Sequence, residues 1–303
     1  MKIGVIVPQG WTGEYKGWNP VEAWQRTRAV AKQAESLGFE SIWLFDHFHT
    51  VPRPTFEITF EAFTSLAALA AETSRVRLGH IVLCAAYRNP ALTTKMISTL
   101  DVISAGRAEL GLGAGWKRDE WRAYGYGFPD APERLAILKD TLEVAQAMMA
   151  GGRATYAGKH LHVDGAINSP QPVQQPRVPI MVGGNGPNVT WRLAARYADE
   201  INLDGLSPTE VKEALPTIRA RCEEIDRDPA TLAVSVHTWW EQITQTGAAR
   251  ADMLAGYREL GVSRVIALVR DSADGDEALE RWAADSRAAG AELANKGVPA
   301  KAQ

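Results

Sequence analysis

Short apolar runs rich in Val, Ile and Leu recur along the chain, each followed by a longer stretch of helical periodicity, and this alternation leaves few folds open. Eight such runs stand at 2–8, 41–47, 76–83, 108–113, 179–183, 200–204, 232–238 and 264–269. Helical segments lie between and after them, near 21–37, 58–73, 90–104, 132–150, 187–198, 208–226, 246–260 and 275–295. Strands apolar along their whole length, joined by crossover helices, make parallel sheets covered on both faces. Eight βα pairs therefore predict the α/β class and one TIM-type (β/α)8 barrel over residues 1–303. Gly38 is placed to cap the first helix, Gly151-Gly152 to end the fourth, and Ser207 with Pro208 and Glu210 to begin another. The interruption at 151–178 holds a hairpin candidate, ATYAGKHLHVDG, then NSPQPVQQPRVP, and reads as an insertion between the fourth and fifth strands. The final GVPAKAQ is expected to be a loose tail.

Several functional classes are disfavoured. A net charge of −3 without a basic run gives no attraction to nucleic acid or to an acidic membrane. No segment approaches the ~20 apolar residues of a membrane span. MKIGVIVPQGW reads as a strand and lacks a signal-peptide cleavage site, so a cytoplasmic location is expected. Cys84 and Cys222 provide neither a disulfide framework nor metal-ligand spacing, and His160 and His162 alternate on a candidate strand without further ligands. A Gly-x-Ser-x-Gly nucleophile motif is missing, which disfavours hydrolysis through serine. The ten tryptophans suit a cavity for a flat ligand as well as a core.

In such a barrel the chemistry belongs where the strands end. After the second strand come Asp46, His47 and His49, an acid and two imidazoles. An imidazole there can exchange a proton near neutral pH, with the adjacent carboxylate orienting it; the alternative is that Asp46 caps the loop and His47 only hydrogen-bonds. Strand alternation turns the two toward opposite sides. His80 and Cys84 are candidates for the mouth, although each type is more often a core residue. Arg88 and Asn89 either contact a polar ligand or brace their loop. The run Gly111–Glu120 is no dinucleotide fingerprint, because the full glycine spacing is absent. Its small residues, Gly113 and Ala114 among them, instead let a flat ring approach the backbone, with Trp116 as wall or lid. After the fifth strand, Gly183, Gly184, Asn185 and Gly186 lead toward a helix N-terminus and form a candidate phosphate cradle.

Four segments together carry a family resemblance: SIWLFDHF; LGHIVLCAAYRNPALTTKMISTLDVISAGRAELGLGAGW; EWRAYGYGFP with ERLAIL; and NSPQPVQQPRVPIMVGGNGPNVTWRLAARYADEINL. They extend over roughly residues 1 to 270, and through them the chain resembles luciferase-like monooxygenases, more closely the branch that uses the deazaflavin coenzyme F420. The resemblance implies a deazaflavin, or alternatively FMN, across the barrel mouth. It implies His47 as active-site acid or base, Asp46 touching the cofactor, a non-prolyl cis peptide near Ile81-Val82 behind the ring, and Gly183–Gly186 at the phosphate. Trp11, Trp43, His49, Tyr87 and Trp116 are then expected to shape the substrate pocket, with Cys84 beside the cofactor. Members that oxidise a sugar phosphate carry a glutamate where this chain has Trp116, so that activity is not expected. Hydride transfer to or from a small organic substrate is the leading reading. Its rivals are an FMN-dependent monooxygenase served by a partner reductase and a catalytically silent cofactor-binding protein. The family resemblance also implies a homodimer.

Overall fold

A computed structural model of the chain describes residues 1–239 and 245–294. The tail expected at 297–303 lies outside these residues. The strands are β1 (Lys2–Ile6), β2 (Ser41–Leu44), β3 (Arg77–His80), β4 (Leu83–Cys84), β5 (Ala108–Gly113), β6 (Arg153–Ala157), β7 (His162–Ile167), β8 (Ile180–Gly183), β9 (Glu200–Asp204), β10 (Ala233–Thr238) and β11 (Arg264–Leu268). The helices are α1 (Pro20–Leu37), α2 (Ala62–Glu72), α3 (Pro90–Ile103), α4 (Arg118–Ala123), α5 (Ala131–Met149), α6 (Thr190–Tyr197), α7 (Pro208–Glu223), α8 (Ala248–Glu259) and α9 (Glu277–Ala288). Hydrogen bonding runs β3-β2-β1-β11-β10-β9-β8-β5, and β3 also pairs with β5. These parallel strands therefore close into the TIM barrel that the alternation predicts. The third strand is broken: β3 and β4 flank Ile81-Val82, whose peptide bond is cis, as the family resemblance implied.

The two-residue period of the strands sorts the apolar side chains into two layers. Ile3, Val5, Ile42, Leu44, Val265 and Ala267 pack outward against the helices, whereas Ile6, Trp43, Phe45, Met181, Ile266 and Leu268 fill the barrel. Where the strands begin, the interior is charged. Arg264 bonds Glu109 at 2.7 Å and Glu40 at 3.1 Å, lies 3.5 Å from Glu200, and shares Glu109 with Arg77. Burial alone would raise the Glu109 carboxyl, but Arg264 and Arg77 hold it down at about 2. Glu200 has less of the same arginine, and burial pushes it up to about 7.

Trp43 rests on this layer, its ring 5.2 Å from the Arg264 guanidinium and its Nε1–H donating to Ser41. Two glycines make room for the indole. A Cβ on Gly4 would fall 2.8 Å from Trp43 Nε1, and one on Gly79 would fall 2.6 Å from Cε3. Trp43 is thus a fully buried plug of the barrel and not a wall of the substrate pocket, which corrects the sequence expectation.

The 151–178 insertion forms the expected hairpin, β6 against β7. It is anchored on α5 by Asp140, which accepts from Tyr156 Oη–H at 2.7 Å and from the His160 and Leu161 N–H groups. His160 therefore sits in the turn and does not alternate with His162 on one strand. The proline-rich stretch then crosses the N-terminal end of the barrel, where Gln174 bonds Asp101 and the Ala108 carbonyl. Gly38 ends α1 at φ +91°, and Ser207 and Glu210 form a capping box on α7. No helix among the described residues is long and apolar enough to cross a membrane. No cluster of three His, Cys, Asp or Glu among them is placed to hold a metal.

Candidate functional site

A cavity of about 280 Å³ opens at the C-terminal ends of the strands. It gathers Trp11, Asp46, His47, Ile81, Val82, Cys84, Tyr87, Gly113, Ala114, Trp116, Gly183 and Gly184, all singled out from the sequence. It adds residues the sequence reading passed over, among them Phe45, Lys117, Asn202, Asp204, His237 and Trp239.

β2 ends at Leu44, so Asp46 and His47 stand on the loop beyond it, and both line the cavity despite the alternation expected of a strand. Asp46 does not orient His47. Its carboxylate is taken by the two terminal nitrogens of Arg88, each at 2.8 Å, and by the Cys84 N–H at 2.9 Å. Arg88 also bonds Glu61, which makes it the brace of the loop, and Asn89 caps α3.

His47 turns instead to Glu120. Its Nδ1 lies 2.8 Å from Glu120 Oε2, and because a carboxylate only accepts, Nδ1 carries the proton and Nε2 is the basic atom of the neutral ring. The other donors to Glu120 are the Phe48 N–H at 2.6 Å, the His49 N–H at 3.4 Å and the Tyr87 hydroxyl at 3.1 Å. Burial would raise this carboxyl, but the bonds from His47, Phe48 and Tyr87 keep it below the usual carboxylate range. Sequence reasoning missed Glu120 because no helix was assigned to 118–123. The available signal was polarity: on this short, highly polar helix, α4, Glu120 and Trp121 are the buried residues. Glu120 reaches His47 from behind and does not itself line the cavity. Trp116 itself is 61% exposed and meets His47 edge-on at 5.8 Å, as a lid residue would.

Several other expectations need correction. His49 does not line the cavity; its ring lies beside Tyr124, with Nε2 3.7 Å from Asp119. His80 is fully buried against Phe63, and burial holds its imidazole down at about 3, so it belongs to the core. Cys84 lines the mouth as a neutral thiol, pushed up to about 12 by burial. α6 begins at Thr190, four residues beyond Gly186, and neither Asn185 nor Gly186 lines the cavity. The Asn185 side chain clamps the Asp204 backbone instead, donating to its carbonyl at 2.8 Å and accepting its N–H at 2.9 Å.

The remaining glycines have a steric cause. Cβ atoms on Gly113 and Gly183 would fall 2.6 Å and 2.9 Å from the Val82 side chain, so both positions are bare to accommodate the bulge at Ile81-Val82. The result is a cavity wall made of backbone, Val82 and glycine, alongside aromatic surface from Trp11, Phe45 and Trp239. A slot walled in this way fits a flat ring system.

A second polar group lines the same cavity. His237 lies opposite Asp204 in the β9–β10 register, with Nδ1 2.7 Å from Asn202 Oδ1 and Nε2 3.0 Å from Asp204 Oδ1. The same Oδ1 also accepts from Trp239 Nε1–H at 2.7 Å. Burial would raise Asp204, but His237 and Trp239 hold it below its ordinary value.

A parallel barrel with a catalytic type of mouth is shared by many enzyme families, and here the sequence separates them. The chain belongs to the luciferase-like monooxygenase family, whose model matches residues 1–301. It is 29% identical over 280 residues to an uncharacterized protein of Mycobacterium tuberculosis, covering 84% of this chain and 92% of that one. It is 36% identical over 184 residues to an F420-dependent glucose-6-phosphate dehydrogenase of Microbacterium testaceum, covering 60% of this chain and 53% of the dehydrogenase. The fold is that of an F420-dependent secondary alcohol dehydrogenase solved with an F420-acetone adduct, at TM-score 0.76 and 18% identity over 95% of this chain and 98% of the other.

Proposed function

We propose that this protein is an oxidoreductase that binds coenzyme F420 in the slot beside Ile81-Val82 and exchanges a hydride with a small organic substrate. The observation that carries the reading is the His47–Glu120 pair at the mouth of that slot. When bound, the deazaflavin supplies hydride chemistry at its C5. Val82, Gly113 and Gly183 would pack against the ring, with Gly184 and Thr190 toward its tail. The protein's part is to exclude water and to move a proton at His47 Nε2, while Glu120 holds the opposite nitrogen and steadies the charge on the ring. The names of the glucose-6-phosphate dehydrogenase relative and the alcohol dehydrogenase neighbour support this cofactor. Asp46, whose oxygens are engaged by Arg88 and Cys84, contributes by fixing the loop that presents His47. A homodimer belongs to the same proposal and rests on the family resemblance.

The competing cofactor is FMN, used with oxygen and a partner reductase; oxygen consumption during turnover would be its signature. Fluorescence titration with F420 and, in parallel, FMN decides between them, since Trp11, Trp116 and Trp239 line the cavity. Micromolar quenching by F420 with much weaker FMN binding is expected. Preference for FMN refutes the assignment. Binding with no hydride exchange in a broad substrate screen would instead favour a catalytically silent protein.

A further inference from the structure

Three carboxylates line the cavity or reach its imidazole, and their bonding differs. Both oxygens of Asp46 are held by protein donors, Oδ1 by Arg88 and Oδ2 by Arg88 and Cys84. Both oxygens of Glu120 are held as well, Oε1 by the Phe48 and His49 N–H groups and Oε2 by His47 and Tyr87. Asp204 is different. Its Oδ1 takes His237 and Trp239 together, and among the described residues no donor reaches Oδ2. Its side chain is half exposed at the cavity, so this oxygen can meet a ligand.

The surroundings show a built position. The Asn185 amide grips the Asp204 backbone on both sides, while Asn202, fixed in turn by Ser235, holds the far side of His237. An aromatic wall joins this cluster to the proposed reacting end. His47 stacks on Trp11 at 4.3 Å, Trp11 lies 5.7 Å from Trp239, and Trp239 meets His237 at 5.1 Å. The cation nearest in kind, Lys117, also lines the cavity, but its ammonium lies 3.1 Å from Asp119 and 3.4 Å from the Pro52 carbonyl.

We propose that Asp204 is the specificity-determining residue of the cavity, its Oδ2 accepting a hydroxyl or N–H donor carried by the substrate at the end away from the reacting carbon. The wall between Asp204 and His47 then seats a flat apolar body. The substrate class is an aromatic or similarly flat alcohol or carbonyl compound with a neutral or cationic donor at its far end; a phosphate or carboxylate there meets an acceptor-only oxygen and is rejected. This rests on reading the cavity as the substrate site of the oxidoreductase.

Three probes with one ring, one chain length and no phenolic hydroxyl test it: 2-phenylethanol, 2-phenylethylamine and phenylacetate, titrated into the full chain without cofactor and followed by tryptophan fluorescence. The alcohol and the amine are expected to bind about tenfold or more tightly than the carboxylate, and Asp204→Asn to bring the three within about threefold. An unchanged order in Asp204→Asn overturns the proposal, as does equal binding of the carboxylate to the wild type or no binding of either donor probe up to about 10 mM. Circular dichroism confirms that the variant is folded. An F420 titration separates the sources of the donor. If Asp204→Asn loses F420 and leaves the probe order intact, the oxygen serves the cofactor and the proposal fails. If the wild type does not bind F420 but ranks the probes as expected, the cofactor assignment fails and the role of Asp204 stands.

Discussion

His47 and Trp11 lie face to face, their ring centroids 4.3 Å apart and their planes 4° from parallel. With Nδ1 bonded to Glu120, the imidazole is restrained both in its plane and across it. Such stacking contributes roughly 0.5–1.5 kcal/mol beyond area burial, enough to hold one orientation of Nε2. Trp11→Leu is therefore expected to slow hydride exchange about tenfold, and Trp11→Phe to recover most of the loss. Equal rates in the leucine variant and the wild type would remove Trp11 from the positioning of His47.

Glu120→Gln keeps the volume but replaces the charge that supports a protonated His47. Turnover is expected to fall about 10²-fold with F420 affinity little changed. His47→Ala should be at least as damaging. Turnover that survives in His47→Ala with normal cofactor binding would show that the proton moves elsewhere.

Glu120→Ala should also destabilise the fold, because it strips acceptors from the partly buried Phe48 N–H and the buried Tyr87 hydroxyl. A loss of about 2–4 kcal/mol in urea unfolding is expected, larger than for a surface substitution.

Gly113→Ala forces a Cβ to within 2.6 Å of Val82 Cγ2. The cost is expected at about 1–3 kcal/mol with weakened F420 binding, and Val82→Ala in the same chain should restore part of both. Simple additivity of the two substitutions would place the effect outside this contact.

The charged layer at the barrel bottom predicts a pH dependence. Glu200 has a folded value near 7, above its unfolded value, so its cost to stability is absent at low pH and grows as pH rises through 7. Glu109, held at about 2, acts in the opposite sense, and its contribution is lost only as pH falls toward that value. Glu200→Gln is thus expected to raise stability relative to wild type by on the order of 2 kcal/mol at pH 8 and by little at pH 5. The measurement is urea unfolding of both proteins at the two pH values, and a difference that is the same at both would remove Glu200 as its source.

The barrel was legible because its signal is local: apolar runs alternating with amphipathic stretches identify strands and helices without knowledge of partners. Strand ends were less so. The apolar run of the second strand continues to Phe45, yet pairing stops at Leu44, because the chain must leave the sheet for Asp46 to reach Arg88. The candidate site was legible where position along a strand decides it, as for His47, Val82, Gly113 and Gly183. It was misread for Trp43, since a strand pattern gives the face a side chain takes but not the depth at which Gly4 and Gly79 open room for it.

Sequence by itself determined the eightfold βα order, the insertion at 151–178 and the loop that carries His47, because each depends on residues near one another in the chain. Tertiary structure alone decided which carboxylate serves which imidazole. Glu120 lies 73 residues from His47, and Asp204 meets His237 only through the register of neighbouring strands. Hydrogen bonds at such separations are set by barrel closure, which brings the strand ends to one mouth and leaves Asp46, adjacent to His47 in sequence, bonded to Arg88 instead.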